Sequence, residues 1–192
     1  MTVWTAHRYA VIDVEGNGHQ PPDLVELAIV PIDGGRIGDP VAWLVQQCQP
    51  ITPMARRIHG ITNAMVADAP PFSDVEAAVR SRLDGVVVVA HNAGVDLGVL
   101  RRKMPNFTPT AVLDTLRLSR RLLPYQPSHR LGALAETLHL VDGLPPSLIP
   151  HRASYDALVA ARLFVYLATK PDGTPRSFAA LHEARGGDET LF

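Results

Sequence analysis

The stretch Val86-Val-Val-Val-Ala90-His-Asn-Ala-Gly-Val-Asp96 decides the fold class. Its first five residues are apolar and mostly β-branched, the pattern of a short strand covered on both faces. A helix is expected directly after it, over about 94–103. Upstream, residues 8–15 and Leu24–Ile32 read as two further strands, Asp33-Gly-Gly35 as a turn, and 36–47 as a third strand, together an antiparallel meander. Residues 50–72 are rich in proline and short polar residues and read as a long, partly helical connection. Ser73 with Glu76 forms a capping-box pattern for the next helix. Downstream, a short strand near Ala111–Leu113 and helices at about 114–122, 130–138 and 153–169 complete the pattern. Strands that alternate with helices make the expected class α/β.

The 192 residues suit one domain, and a hydrophobic content of 46% is enough for a sizeable core. The expected domain spans residues 1–170, and Pro171-Asp-Gly-Thr-Pro175 opens a C-terminal extension over 171–192 that is flexible or serves in docking. A formal net charge of −1 excludes a global basic field, although a local basic patch beside an acidic site cancels in such a sum. Cys48 is the only cysteine, so no internal disulfide forms, and no apolar run approaches the roughly 20 residues of a membrane span. The first residues lack a signal-peptide pattern. A soluble, cytoplasmic protein with no membrane partner is the expectation.

Acids interrupt this apolar framework at four places. Asp13 and Glu15 alternate along Tyr9-Ala-Val-Ile-Asp13-Val-Glu15, so both point to one side of a strand. Two acids on one face at a strand end can hold a hard cation, or can belong to an ordinary half-solvated strand. Asp96 falls in the first turn of its helix, where the helix dipole alone favours an acid. In His151-Arg-Ala-Ser-Tyr-Asp156, the histidine lies on a loop and the acid in the first turns of a helix with small residues on one face. A loop histidine beside a metal cluster suits proton acceptance near neutral pH. Glu26 and Asp114 are also acids in apolar surroundings, and hydrogen-bonding or capping roles are expected for them.

Taken together, these residues resemble the DnaQ-like 3′–5′ exonucleases of the DEDDh type, the group that includes the proofreading subunits of bacterial DNA polymerase III. The family motifs D-x-E, H-N-x-x-F-D and H-x-A-x-x-D-A are matched in order by Asp13-Val-Glu15, His91-Asn-Ala-Gly-Val-Asp96 and His151-Arg-Ala-Ser-Tyr-Asp156-Ala157. Arg57-Ile-His-Gly-Ile-Thr62, Leu113-Asp-Thr-Leu116 and Ser128-His-Arg-Leu131 resemble its supporting segments. The resemblance implies a ribonuclease H-like fold with a central five-stranded mixed sheet. It implies two divalent ions, Mg²⁺ or Mn²⁺, with Asp13, Glu15, Asp96 and Asp156 as ligands or near-ligands and His151 as proton acceptor. The implied substrate is the single-stranded or frayed 3′ end of DNA, with RNA as the alternative, cleaved to nucleoside 5′-monophosphates. A non-catalytic nucleic-acid-binding or polymerase-associated module on the same fold is the rival reading.

Two positions depart from the family pattern: Gly16 stands where threonine is usual, and Val95 where phenylalanine is usual. Gly16 keeps its backbone amide, and Asn17 is expected to offer the polar group that Gly16 lacks. Ile58 and His59 match positions near the terminal nucleotide, or form a turn around Gly60. Arg117, Arg120 and Arg121 share a helix face and Arg101, Arg102 and Lys103 form a second cluster; each is either a phosphate contact or a solvated face. The final Leu191-Phe192 resembles the end of sliding-clamp ligands, which implies a clamp or polymerase as a possible partner.

Overall fold

The computed structural model describes residues 2–182. Six strand segments form one mixed sheet: β1 (Tyr9–Gly16), β2 (Leu24–Asp33), β3 (Arg36–Ile37), β4 (Val41–Leu44), β5 (Val87–Ala90) and β6 (Ala111–Asp114). β1 and β2 run antiparallel, while β5 lies parallel to β1 and β6 parallel to β5. β3 and β4 follow one another along the same edge of β2, so the sheet has five lanes in the order β3/β4-β2-β1-β5-β6. The third strand, expected unbroken over 36–47, is therefore split. Gly38 pulls in against Pro31, its amide donating to the Pro31 carbonyl at 2.9 Å, and Pro40 has no amide to donate to a ladder.

The helices are α1 (Pro53–His59), α2 (Asn63–Val66), α3 (Phe72–Leu83), α4 (Ala93–Lys103), α5 (Thr115–Leu122), α6 (Leu131–Thr137), α7 (Ala153–Ala168) and α8 (Phe178–His182). The capping box expected at Ser73 does not form, because α3 begins two residues earlier than that cap requires, at Phe72 behind Pro71. Ser73 then lies inside the first turn and bonds Asp74, while Glu76 pairs with Arg80 at 2.8 Å.

Cores lie on both faces of the sheet. On one face Tyr9, Val11, Val30 and Val89 pack against α7; on the other Ile12, Leu27 and Val88 pack with Val79, Leu83 and Leu100 from α3 and α4. Ala153, Ala157, Ala160 and Ala161 are all buried, which lets α7 lie close on β1 and β2. Phe164 of α7 sits 4.8 Å from the Tyr9 ring and 5.6 Å from the Trp4 ring. α7 is consequently fixed against the strand that carries Asp13 and Glu15.

After α7 the chain turns back. The Arg176 amide donates to the Ala168 carbonyl, the Phe178 amide to the Thr2 carbonyl, and Leu181 is fully buried in the core on the α7 face. The expected docking pair Leu191 and Phe192 lies outside the described residues. Among the described residues no helix is long and apolar enough to cross a membrane.

Candidate active site

The sheet's geometry brings the first two acids together. Asp13 and Glu15 share the face of Tyr9 and Val11, opposite Ala28 and Glu26 of β2. α7 crosses that face with Asp156 in its first turn. The carboxylate oxygens of Asp13, Glu15 and Asp156 come within 4.8 Å of one another. Asp96 stands outside that triplet but is buried beside it, one oxygen accepting the Val14 amide at 3.1 Å. Val14 lies between the two β1 acids, so this bond fixes α4 to the strand at the site itself.

Burial raises the affinity of all four acids for protons, and repulsion from the neighbouring acids adds to it at Asp13 and Glu15. Burial, then the charges of Asp96, Asp156 and Glu15, pushes Asp13 well above the usual carboxylate range. Burial, then Asp156, pushes Glu15 up to about 8, against a smaller opposing pull from Arg152. Burial takes Asp96 to about 7, opposed by the Val14 amide, and Asp156 to about 6, opposed by His151. Clustered hard oxygen donors that resist ionising together are what a divalent cation relieves. The residues present therefore fit such ions.

This predicts a pH dependence of stability. In the unfolded chain these acids titrate near 4. The folded protein keeps their protons into the range of about 6–8. Their stabilising effect is complete below about pH 4 and is lost as pH rises toward 8, where the unfolded state binds fewer protons. Metal-free protein is expected to melt at a lower temperature at pH 8 than at pH 5.5, and Mg²⁺ or Mn²⁺ added at pH 8 to reverse most of the drop. Thermal melts with and without EDTA check this; a flat profile contradicts it.

His151 precedes α7 on an exposed turn, held in the left-handed region at φ 62°. Its neighbour Arg152 is a residue that sequence reasoning missed. The Arg152 guanidinium forks onto Glu26, with Nε to Oε2 at 2.9 Å and a second bond to Oε1. The same Glu26 Oε2 accepts the Ala153 amide at 2.9 Å. Glu26 thus caps α7 from β2, since Arg152 makes no side-chain cap of its own. This clamp holds the start of the helix that carries Asp156, directly after the turn that carries His151. Glu26 is buried, so Glu26→Ala leaves a guanidinium and an amide without their partner. It is expected to cost about 3–5 kcal/mol in denaturant unfolding, with a clearly smaller loss for Glu26→Gln; equal losses contradict the clamp.

The expected binding residues separate into two kinds. Gly16, Ile58 and His59 line a cavity of about 270 Å³ that also includes Glu15. Ile58, Met54 and Val95 are all more than half exposed around it, an apolar rim beside an acidic cluster. The His59 ring lies deeper. Its Nδ1 accepts the Ile61 amide at 3.0 Å, so Nε2 carries the proton toward the Gly16 carbonyl at 3.3 Å, and burial lowers its pKa. His59 is therefore a brace between α1 and the end of β1.

Asn17 is turned away from the cavity. It is fully buried, and its Oδ1 accepts the His19 and Asp23 amides. Through these two bonds Asn17 holds the loop that follows β1. At Gly16 a Cβ would lie 3.1 Å from the Pro22 side chain, so the usual side chain there requires Pro22 to give by a few tenths of an ångström. Of the basic cluster on α4, Arg102 bonds the Pro22 carbonyl and Lys103 pairs with Asp23, so both hold the same loop. Asp114 caps α5 as expected, accepting the Leu116 and Arg117 amides.

The comparisons with known proteins agree with this geometry. The exonuclease family model RNase T matches residues 10–164. The chain is 37% identical over 169 residues to exodeoxyribonuclease 10 of Escherichia coli K12, covering 88% of this chain and 72% of that one. It is 32% identical over 170 residues to the 3′-5′ exonuclease DinG of Bacillus subtilis, covering 85% of this chain but only 18% of that protein's length. A solved complex of exonuclease X with 5′ overhanging duplex DNA superposes with a TM-score of 0.74 at 34% identity, covering 93% of this chain and 99% of that one.

Proposed function

Because the chain belongs to the RNase T exonuclease family, we propose that it is a metal-dependent 3′–5′ exonuclease that removes nucleoside 5′-monophosphates from DNA ends. The observation that carries the reading is the convergence of Asp13, Glu15 and Asp156 from a strand and a distant helix. Support for the direction comes from the similarity to DinG, a 3′-5′ exonuclease, and for DNA from exodeoxyribonuclease 10 and the DNA complex of exonuclease X.

Asp13, Glu15 and Asp156 would hold two divalent ions, Mg²⁺ or Mn²⁺, through carboxylate oxygens, with Asp96 supporting the set directly or through water. When bound, such ions supply an acidified water and positive charge at the phosphate and at the departing 3′ oxygen. His151 accepts the proton of the attacking water on an imidazole nitrogen. Its exposed turn beside Asp156 leaves room for the substrate phosphate between protein and solvent. The cavity lined by Gly16 and Ile58 takes the terminal nucleotide, and the rim of Met54, Ile58 and Val95 excludes water around it.

Calorimetric titration with Mn²⁺, followed by chromatography of products from single-stranded DNA, duplex DNA and RNA, tests the reading. Two bound ions and nucleoside 5′-monophosphates are expected, with DNA degraded faster than RNA. Fewer than two ions together with no product indicates the non-catalytic module instead.

A further inference from the structure

Beside the acidic cluster lies a basic groove that the proposed chemistry does not use. Asp13 and His91 each stand two residues past the paired Val11 and Val89, which both face the α7 core. β5 ends at Ala90 and His91 begins the turn into α4, so His91 lies at the same end of the parallel β1–β5 pair as Asp13 and Glu15. The His91 ring is fixed by the Thr115 hydroxyl at 2.9 Å and the His129 carbonyl at 3.0 Å. It forms the floor of a cavity of about 460 Å³ whose walls carry Arg120 from α5 and His129 and Arg130 from the following loop.

Both arginines are exposed, and among the described residues neither forms an ion pair. Asp114, a nearby acid, is committed to the amides of Asn92, Ala93, Leu116 and Arg117. Two residues before Pro127, which also lines the groove, the Tyr125 side chain is 98% exposed and packs on nothing. An unpaired basic channel with a free aromatic ring two residues along the chain from its lining offers the groups that hold a single strand: cations follow the phosphates and the ring stacks on a base. Arg121 is not part of it, because its guanidinium bonds the Ala180 carbonyl.

We propose that Arg120, Arg130 and Tyr125 form a binding channel for the single-stranded polynucleotide upstream of the 3′-terminal nucleotide. The proposal rests on the exonuclease reading and gives that site a preference for single strands several nucleotides long.

The test compares kcat/KM on a dinucleotide and on a single-stranded twelve-nucleotide DNA, in wild type, Arg120→Ala/Arg130→Ala and Tyr125→Ala. The variants are expected to lose about tenfold on the longer strand and less than twofold on the dinucleotide. The double variant is also expected to flatten the salt dependence of strand binding by about 1.4 in log–log slope, for two lost phosphate contacts. Arg120→Lys/Arg130→Lys and Tyr125→Phe should restore most of the loss, and unchanged melting temperatures confirm intact folding. Wild-type rates on the longer strand in the Ala variants overturn the channel, as does an equal loss on the dinucleotide. Inactivity of the wild type on both substrates instead rejects the exonuclease reading on which the channel rests.

Discussion

Asp13→Asn is expected to abolish nuclease activity while making the metal-free protein more stable at pH 8. Asp13 lies at the centre of the cluster, where Asp96, Asp156, Glu15 and Glu26 all oppose its ionisation. A carboxylate retained in such a place serves something other than folding. Asparagine keeps the shape, loses the charge and binds hard cations far less strongly. With Mg²⁺ or Mn²⁺ present, kcat is expected to fall by about 1,000-fold or more, equivalent to about 4 kcal/mol of transition-state stabilisation. Without metal, the variant escapes the repulsion and should melt above wild type at pH 8. Below about pH 4 the two should converge, because the wild-type acid is then protonated in both the folded and the unfolded state. Rates from single-turnover digestion and paired melts measure both effects. Loss of activity together with lower stability at pH 8 would instead mark Asp13 as a structural residue.

His151→Asn should separate the proton acceptor from the metal ligands. The side chain is exposed and its backbone is left-handed, a conformation asparagine tolerates better than most residues. Stability is therefore expected to stay within about 0.5 kcal/mol of wild type. Loss of a positioned general base typically costs about 10²–10⁴-fold in rate, and a fall of that size in kcat is expected. Added imidazole should recover part of the rate in this variant and none in Asp13→Asn. Mn²⁺ affinity should change little. A variant that retains full activity removes His151 from the chemistry; one that loses Mn²⁺ binding makes it a ligand.

What was legible in the sequence followed from local periodicity. β1, β5 and α7 each announce themselves within a few residues, by alternation, by an unbroken apolar run, or by small residues at helical spacing. The acids were legible because each breaks such a pattern. The split between β3 and β4 depends on how Gly38 meets Pro31, a contact between neighbouring strands that no local pattern carries. Glu26 was recognisable as a buried acid needing partners, but its partner Arg152 lies 126 residues away. The enclosure of Asn17 was not legible either, because it depends on how the loop folds back to bring the Asp23 amide onto the Asn17 side chain. At His59, the same sequence suited a substrate contact or a local brace, and only the two ring hydrogen bonds distinguish them.

The most direct test of metal-dependent attack at the 3′ end is digestion of a 5′-labelled single-stranded DNA, resolved at single-nucleotide steps. With Mg²⁺ or Mn²⁺, the label should pass through successively shorter products, one nucleotide at a time. EDTA and Asp13→Asn should each leave the substrate intact. Immediate release of a labelled mononucleotide, a single internal fragment, or unchanged degradation in EDTA would contradict the account.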